Sequence, residues 1–382
     1  MRRWDVIGLW LSLTVPSFAL LIKYGGWSGA IAYTIIVAVV TARVAGRFRP
    51  MTNRAAGVLA AVTWLVAVII FALVYPRVNL HVAGIGSDDD DALNLGARAL
   101  LAGQSPYAQT TYLGNVLHHL PGAFVLALPF VLAGTSALQN LFWIPLFFLA
   151  VKTETGDAGL ALTLVWLVLA LSPAVGWEIA TGTGYSANTI TVLLGLWWLS
   201  RTRQRDLAAV VWGVTLASRP NFLFIVPLAF GWFRQHFGWP VAARITSIAC
   251  ATAALLSVPF YVHDPARFGP LEAADRLFRF DAVQPGLGAA LLASIGLLSV
   301  GLSLRKMDRI ALFRNCALIQ AWPVAAGIGA TTLAGRSIDL EYVRYGAFFA
   351  WFVLMAVACE WSGKGDQAFG PQLVDQLNHV RL

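Results

Sequence analysis

Long apolar runs alternate with short polar breaks along the whole chain. The runs fall at about 6–22, 28–45, 55–75, 137–151, 158–175, 188–200, 207–218, 221–233, 242–262, 286–304, 310–333 and 343–360. A helix needs about 20 apolar residues to cross the hydrocarbon core, fewer where the bilayer thins. The pattern therefore predicts an all-α integral membrane protein of about 12 transmembrane helices, with 1–382 a single polytopic domain. One further run, 120–134, is short and holds Pro121 and Pro129.

Basic clusters mark the cytoplasmic side of membrane proteins. Here they are Arg43, Arg47, Arg49 and Arg54; Arg201, Arg203 and Arg205; Arg234 and Arg244; and Arg305, Lys306 and Arg309. They share one side only if 120–134 is re-entrant or interfacial, or if 120–151 is one broken passage. Both termini then face the cytoplasm from the inner (plasma) membrane, and 361–382 is a cytoplasmic tail. Four polar segments reach the outer face: 76–119, 176–188, 263–284 and 334–344.

Composition agrees. The chain is 58% hydrophobic and 12% charged, with a mean hydropathy of +0.69, whereas soluble domains carry about 25% charged residues. The net charge of +8 is scattered between apolar runs, where bilayer orientation explains it, so nucleic-acid binding is excluded. Cys250, Cys316 and Cys359 lie inside apolar runs without paired spacing and are expected as buried small hydrophobes, not a disulfide or zinc set. Arg2 and Arg3 before an apolar stretch mimic a signal peptide, but the many later runs favour an uncleaved anchor. "GTGYSA" has no lysine to make a phosphate loop, so no nucleotide site is expected.

Most of the candidate chemistry sits in the first outer loop, 76–119. Ser87 can cap a helix whose first turn holds Asp88 to Asp91. Ala92 to Leu101 is amphipathic, and Gly103 and Ser105-Pro106 stop it. A short interfacial helix with carboxylates at its start follows. Such a carboxylate can serve as a general base or ligate a divalent cation; for any single aspartate, capping and solvation is the plainer role.

The run "ARALLAGQSPY" after these acids, followed by a proline-containing re-entry, resembles the first outer loop of GT-C superfamily glycosyltransferases. It is most similar to glycosyltransferase family 87, a polyprenyl-phosphate-sugar-dependent mannosyltransferase-like group. In that pattern an aspartate precedes the glycine of the run by fourteen positions, which from Gly103 is Asp89. Leu93 stands where an aromatic residue is common, and "HHLPG" keeps only Pro121 of an aromatic-Pro-Pro re-entry. Later, Asn188 matches an outer asparagine, although the usual neighbouring glutamine is absent. Arg219 matches a basic position before a proline, and Arg344-Tyr345 in "DLEYVRYGAFF" an Arg-Tyr pair opening the last helix. The likeness touches about three-quarters of the chain.

The resemblance implies a GT-C-like bundle and inverting transfer of a sugar, mannose first, from a polyprenyl-phosphate donor. The acceptor is a hydroxyl of a glycolipid or glycan on the outer face. It implies Asp89 as the base, with Asp88 the fallback, and Arg219 on the donor phosphate; snorkelling is the alternative for Arg219. Arg344, Tyr345, Tyr107, Glu178 and Asn188 join the substrate-binding set. His118 and His119 can orient phosphate or sugar oxygens, though adjacent residues point apart and only one would serve. No metal ligand is assigned, and a divalent cation is compatible with the chemistry. Asp264, Asp275 and Asp281 with Arg267, Arg276 and Arg279 read as a salt-bridged lid helix. Two other classes compete. A secondary transporter or lipid-linked-sugar flippase would carry ionisable groups mid-span and echoing halves. An accessory membrane protein would use these acids only for solvation.

Overall fold

The computed structural model describes residues 3–47, 51–82, 86–272, 277–335 and 340–361. The tail beyond Trp361, and Asp275 and Arg276 of the expected lid, lie outside them. Among the described residues there is no β-strand, only an isolated bridge between Thr110 and Val116. Helices α1 (Arg3–Thr14) and α2 (Phe18–Arg47) are separated by a turn at Val15–Ser17. Within α2, Gly26 takes φ 64°, a left-handed value that glycine adopts without steric cost. The chain folds back there, so that Trp10 Nε1 reaches the Thr34 carbonyl at 3.0 Å. Helix α3 (Asn53–Val78) is apolar on every side and leaves Val62, Leu65 and Ile69 exposed, which is the face of a helix against lipid.

Five helical segments are long and apolar enough to cross a membrane, or seven if each of two bent pairs is one span. The first pair, α5 (Pro121–Leu132) with α6 (Gln139–Thr155), bends by 99°, the break expected within 120–151. The second, α7 (Ala158–Leu171) with α8 (Pro173–Thr181), bends by 83°. The runs at 188–200, 207–218 and 221–233, expected as spans, are shorter than these segments. They form α9 (Tyr185–Leu199), α10 (Arg205–Leu216) and α11 (Ile225–Phe237), of 15, 12 and 13 residues. At about 1.5 Å per residue, a helix as short as α10 extends about 18 Å, short of a core about 30 Å thick. Leu193, Leu196, Trp212 and Trp232 on these helices are buried in protein. Hydropathy alone does not tell a helix buried in protein from one facing lipid.

The bundle is completed by α12 (Trp239–His263), α13 (Leu287–Ser303), α14 (Arg309–Gly335) and α15 (Ala347–Trp361). Helix α15 is buried on nearly all sides, packed among α1, α9 and α14. At one end of the bundle, Glu154 accepts from Arg309 at 2.6 Å, from Trp197 at 2.9 Å and from Arg201. Residues of two basic clusters thus meet on one acid, in keeping with their shared side. Arg314 similarly joins Asp5 of α1 to Glu360 of α15.

Candidate active site

The acidic loop folds as α4 (Asp89–Leu101), with Ala92, Leu93, Gly96 and Ala97 buried and Arg98 outward. Ser87 Oγ accepts the Asp89 N–H at 3.2 Å, but the N-cap position is Asp88, whose side chain makes no cap, so Ser87 stands one residue outside the helix it was expected to cap. The four acids then part company. Asp88 accepts from Thr111 Oγ1 at 2.8 Å and Asn115 Nδ2 at 2.7 Å. Asp91 accepts the Tyr112 N–H at 2.9 Å, and Asp90 turns inward to the Tyr75 hydroxyl at 2.6 Å. Asp89 alone meets a cation: its Oδ1 lies 2.6 Å from Arg219 Nη2, while Oδ2 accepts the Gly184 N–H at 2.7 Å.

Local sequence explains the meeting. Pro220 bars helical geometry at the residue before it, so Arg219 is extended, at φ −148° and ψ 143°, just past the end of α10. The start of α5 packs against that same end, where Leu120 N–H donates to the Ser218 carbonyl at 3.1 Å. Gly122 makes this approach possible, since a Cβ there would lie 2.2 Å from the Val214 oxygen and 2.5 Å from the Ala217 oxygen. Gly122→Ala should therefore prise α5 from α10, at a cost of about 1–3 kcal/mol. The check is a lower melting temperature in detergent, together with weaker ligand binding at Arg219.

His119, just before α5, completes the cluster. Its Nε2 lies 2.7 Å from Arg219 Nη2 and 3.2 Å from Asp89 Oδ1. Arginine only donates, so Nε2 accepts and the ring proton sits on Nδ1. Burial and the neighbouring guanidinium both lower the His119 pKa and keep the ring neutral. Burial alone would raise the Asp89 carboxyl, but Arg219 outweighs it and holds the acid well below the usual carboxylate range. Arg219 Nε and His119 Nδ1 are both buried without a hydrogen-bond partner. The Arg219 guanidinium carbon also lies 5.1 Å from the Tyr185 ring centre and 5.9 Å from that of Phe348.

These groups head a cavity of about 560 Å³ whose wall includes Asp88, Asp89, His118, His119, Arg219, Arg344 and Tyr345. His118 Nδ1 lies 3.3 Å from the Gly269 carbonyl, yet both histidines line the cavity, so their placement does not separate them as the sequence led us to expect. Tyr107, Asn188 and Glu178, expected to bind substrate, stand behind the wall instead. Tyr107 packs against Phe124 and Phe268 and donates to the His119 carbonyl at 2.8 Å. Glu178 accepts the Ser186 N–H at 2.8 Å, and Asn188 is buried on α9, so both belong to the turn that aims Gly184 at Asp89. Their short reach and inward setting make them supports. Of the expected lid, the described residues give an ion pair of Arg267 with Asp264 at 3.7 Å and an Asp281 that accepts the Gly288 N–H at 2.8 Å at the start of α13. Missed altogether were Asn221 and Gln320, wall residues joined at 2.6 Å. A buried amide inside the apolar run 310–333 was the available signal for Gln320. Among the described residues no three His, Cys, Asp or Glu groups gather to hold a metal ion.

A second cavity, of about 400 Å³ and almost wholly apolar, lies beside the first against α10, α11 and α12. Leu120, Leu223, Phe268 and Leu271 line both. Cys250 lines the apolar cavity and is exposed, which corrects the expectation that it is buried; Cys316 and Cys359 are buried.

Asp90 carries a pH signature. Burial pushes its carboxyl up to about 6, above an unfolded value of about 3.9. A raised carboxyl favours the folded state fully below the unfolded value and loses that contribution as pH rises through 6. The melting temperature should thus gain a positive increment between pH 7 and pH 5, and Asp90→Asn should shrink that increment.

Compared with known proteins, the chain matches no family model, no curated protein and no solved structure.

Proposed function

We propose that this protein is a membrane glycosyltransferase. It moves a hexose or pentose, mannose foremost, from a polyprenyl-phosphate donor to a hydroxyl of a glycolipid or glycan acceptor on the outer face of the plasma membrane. The observation that carries the reading is a pair of adjoining cavities with three chemistries. A nearly buried carboxylate and a nearly buried arginine with an unfilled Nε stand in the wall of the first, and the apolar second shares Leu120, Leu223, Phe268 and Leu271 with it. A polyprenyl-phosphate sugar has the matching parts: a sugar, a phosphate anion and a long apolar chain.

In this account the donor phosphate takes the guanidinium of Arg219, whose planar fork suits phosphate oxygens, and Arg344 adds a second positive charge. Engaging the phosphate draws Arg219 away from Asp89 and restores the basicity that the ion pair suppresses. Asp89 then removes the proton of the acceptor hydroxyl as its oxygen attacks the anomeric carbon from the face opposite the phosphate. The bond from that carbon to the phosphate oxygen breaks, and the polyprenyl phosphate leaves carrying the electron pair. The configuration inverts. His119, neutral and fixed through its backbone by Tyr107, accepts from Nη2 of that guanidinium, the nitrogen that also pairs with Asp89.

Cys250 provides the test, because it lies where the polyprenyl chain would run and the other two cysteines are buried. A maleimide should label Cys250 alone. A polyprenyl-phosphate sugar at about ten times its Kd should slow that labelling about tenfold by mass action. Arg219→Gln should need far more ligand for the same protection. Equal labelling with and without the lipid would count against the reading.

A further inference from the structure

At the end of α10 opposite Arg219 lies a cavity of about 370 Å³ that the proposed transfer does not use. Its wall joins Arg203, Gln204, Arg205 and Asp206 to Arg244 of α12. Three arginines face one acid there, and Asp206 is already engaged by Arg244. Among the described residues no carboxylate lies within ion-pair distance of Arg203 or Arg205. Arg205 is the unusual member. Its guanidinium carbon sits 4.0 Å from the Phe237 ring centre, and its Nε is buried with no partner. A desolvated donor left open is costly, and an anion with several oxygens removes that cost. Gln204 makes no side-chain cap on α10, which leaves the first-turn N–H groups without one.

The surroundings specify the rest of the ligand. Leu207, Val210 and Val211 are exposed, and with the half-buried Val214 they follow i, i+3, i+4, i+7 spacing. They form an apolar stripe that starts at the arginines and runs along α10. A free phosphate would use the arginines and leave the stripe unused, whereas a phospholipid uses both.

We propose that this cavity binds the headgroup of an anionic membrane phospholipid, with Arg203 and Arg205 on the phosphate and an acyl chain along Leu207, Val210 and Val211. Basic pockets between membrane helices at the cytoplasmic surface hold such headgroups. The site stands apart from the proposed transferase reaction, and either can fail without the other.

The test is native mass spectrometry of the full chain in neutral detergent, titrated with phosphatidylglycerol, phosphatidylcholine or inorganic phosphate. Wild type should hold one phosphatidylglycerol about tenfold more tightly than phosphatidylcholine, from two guanidinium contacts. Arg203→Gln with Arg205→Gln should bring the two lipids within about twofold. Arg43→Gln with Arg54→Gln, which removes the same charge from exposed positions elsewhere, should keep the preference. Should the pocket variant fail to fold, Arg205→Lys keeps the charge without the planar fork and should still lower the preference severalfold. No preference in wild type, an equal loss in both double variants, or displacement of the lipid by millimolar inorganic phosphate would each overturn the proposal.

Discussion

Asp89→Asn should lower sugar transfer by about 10³-fold, the scale of losing a positioned general base, while donor binding holds or tightens because no carboxylate competes for Arg219. Asparagine keeps the shape of the side chain and can still accept the Gly184 N–H at Oδ1. It cannot take up the acceptor proton. The loss should appear in kcat with little change in KM, because the group acts on the proton in the transition state. Asp88→Asn is the matched control. Asp88 lines the same cavity, but its Oδ2 is committed to Thr111 and Asn115, so its replacement should cost less than about tenfold. A reversal of the two effects would move the base to Asp88.

Arg219→Ala should have the second-largest effect, on stability as well as binding. The Asp89 and Arg219 side chains are 10% and 12% exposed, and removing one partner of a buried ion pair typically costs about 3–5 kcal/mol. Adding Asp89→Asn to Arg219→Ala should restore much of the melting temperature and none of the transfer. The pH dependence should change sign as well. In wild type the lowered Asp89 pKa gives stability that is present above the unfolded carboxylate value and lost as pH falls below it. Without the guanidinium, burial dominates and raises the carboxyl, so the single variant should gain stability as pH falls. Melting temperatures of wild type and both variants across a pH series check this directly.

The parts of the site legible in the sequence are those fixed by local rules. Ser87 before a run of acids and an amphipathic stretch announces α4, while only the family resemblance picks Asp89 out of the four acids. Arg219 beside Pro220 announces an extended arginine at the end of an apolar run, and Pro121 and Pro129 announce the break before α6. What stayed hidden depends on tertiary setting. Nothing local tells that Asp90 turns inward to Tyr75 while its neighbour Asp89 meets Arg219. Tyr107 and Glu178 carry the same polar atoms whether they touch a ligand or brace a turn. Leu196 in a protein core and Leu65 against lipid are equally apolar, so apolar runs alone do not separate buried helices from crossings. Cys250 and Gln320 sit in similar apolar runs, yet each faces a cavity formed only when distant helices meet.

The most direct measurement is transfer of labelled sugar by the purified protein in lipid vesicles. Mannose, glucose and arabinofuranose polyprenyl-phosphate donors are run against extracted glycolipid acceptors, with Asp89→Asn alongside. The account predicts turnover with at least one donor, an inverted linkage in the product, and no product from the variant. Donor bound equally by both proteins, with no sugar transferred from any of the three, would contradict it and leave a carrier or an accessory membrane protein in its place.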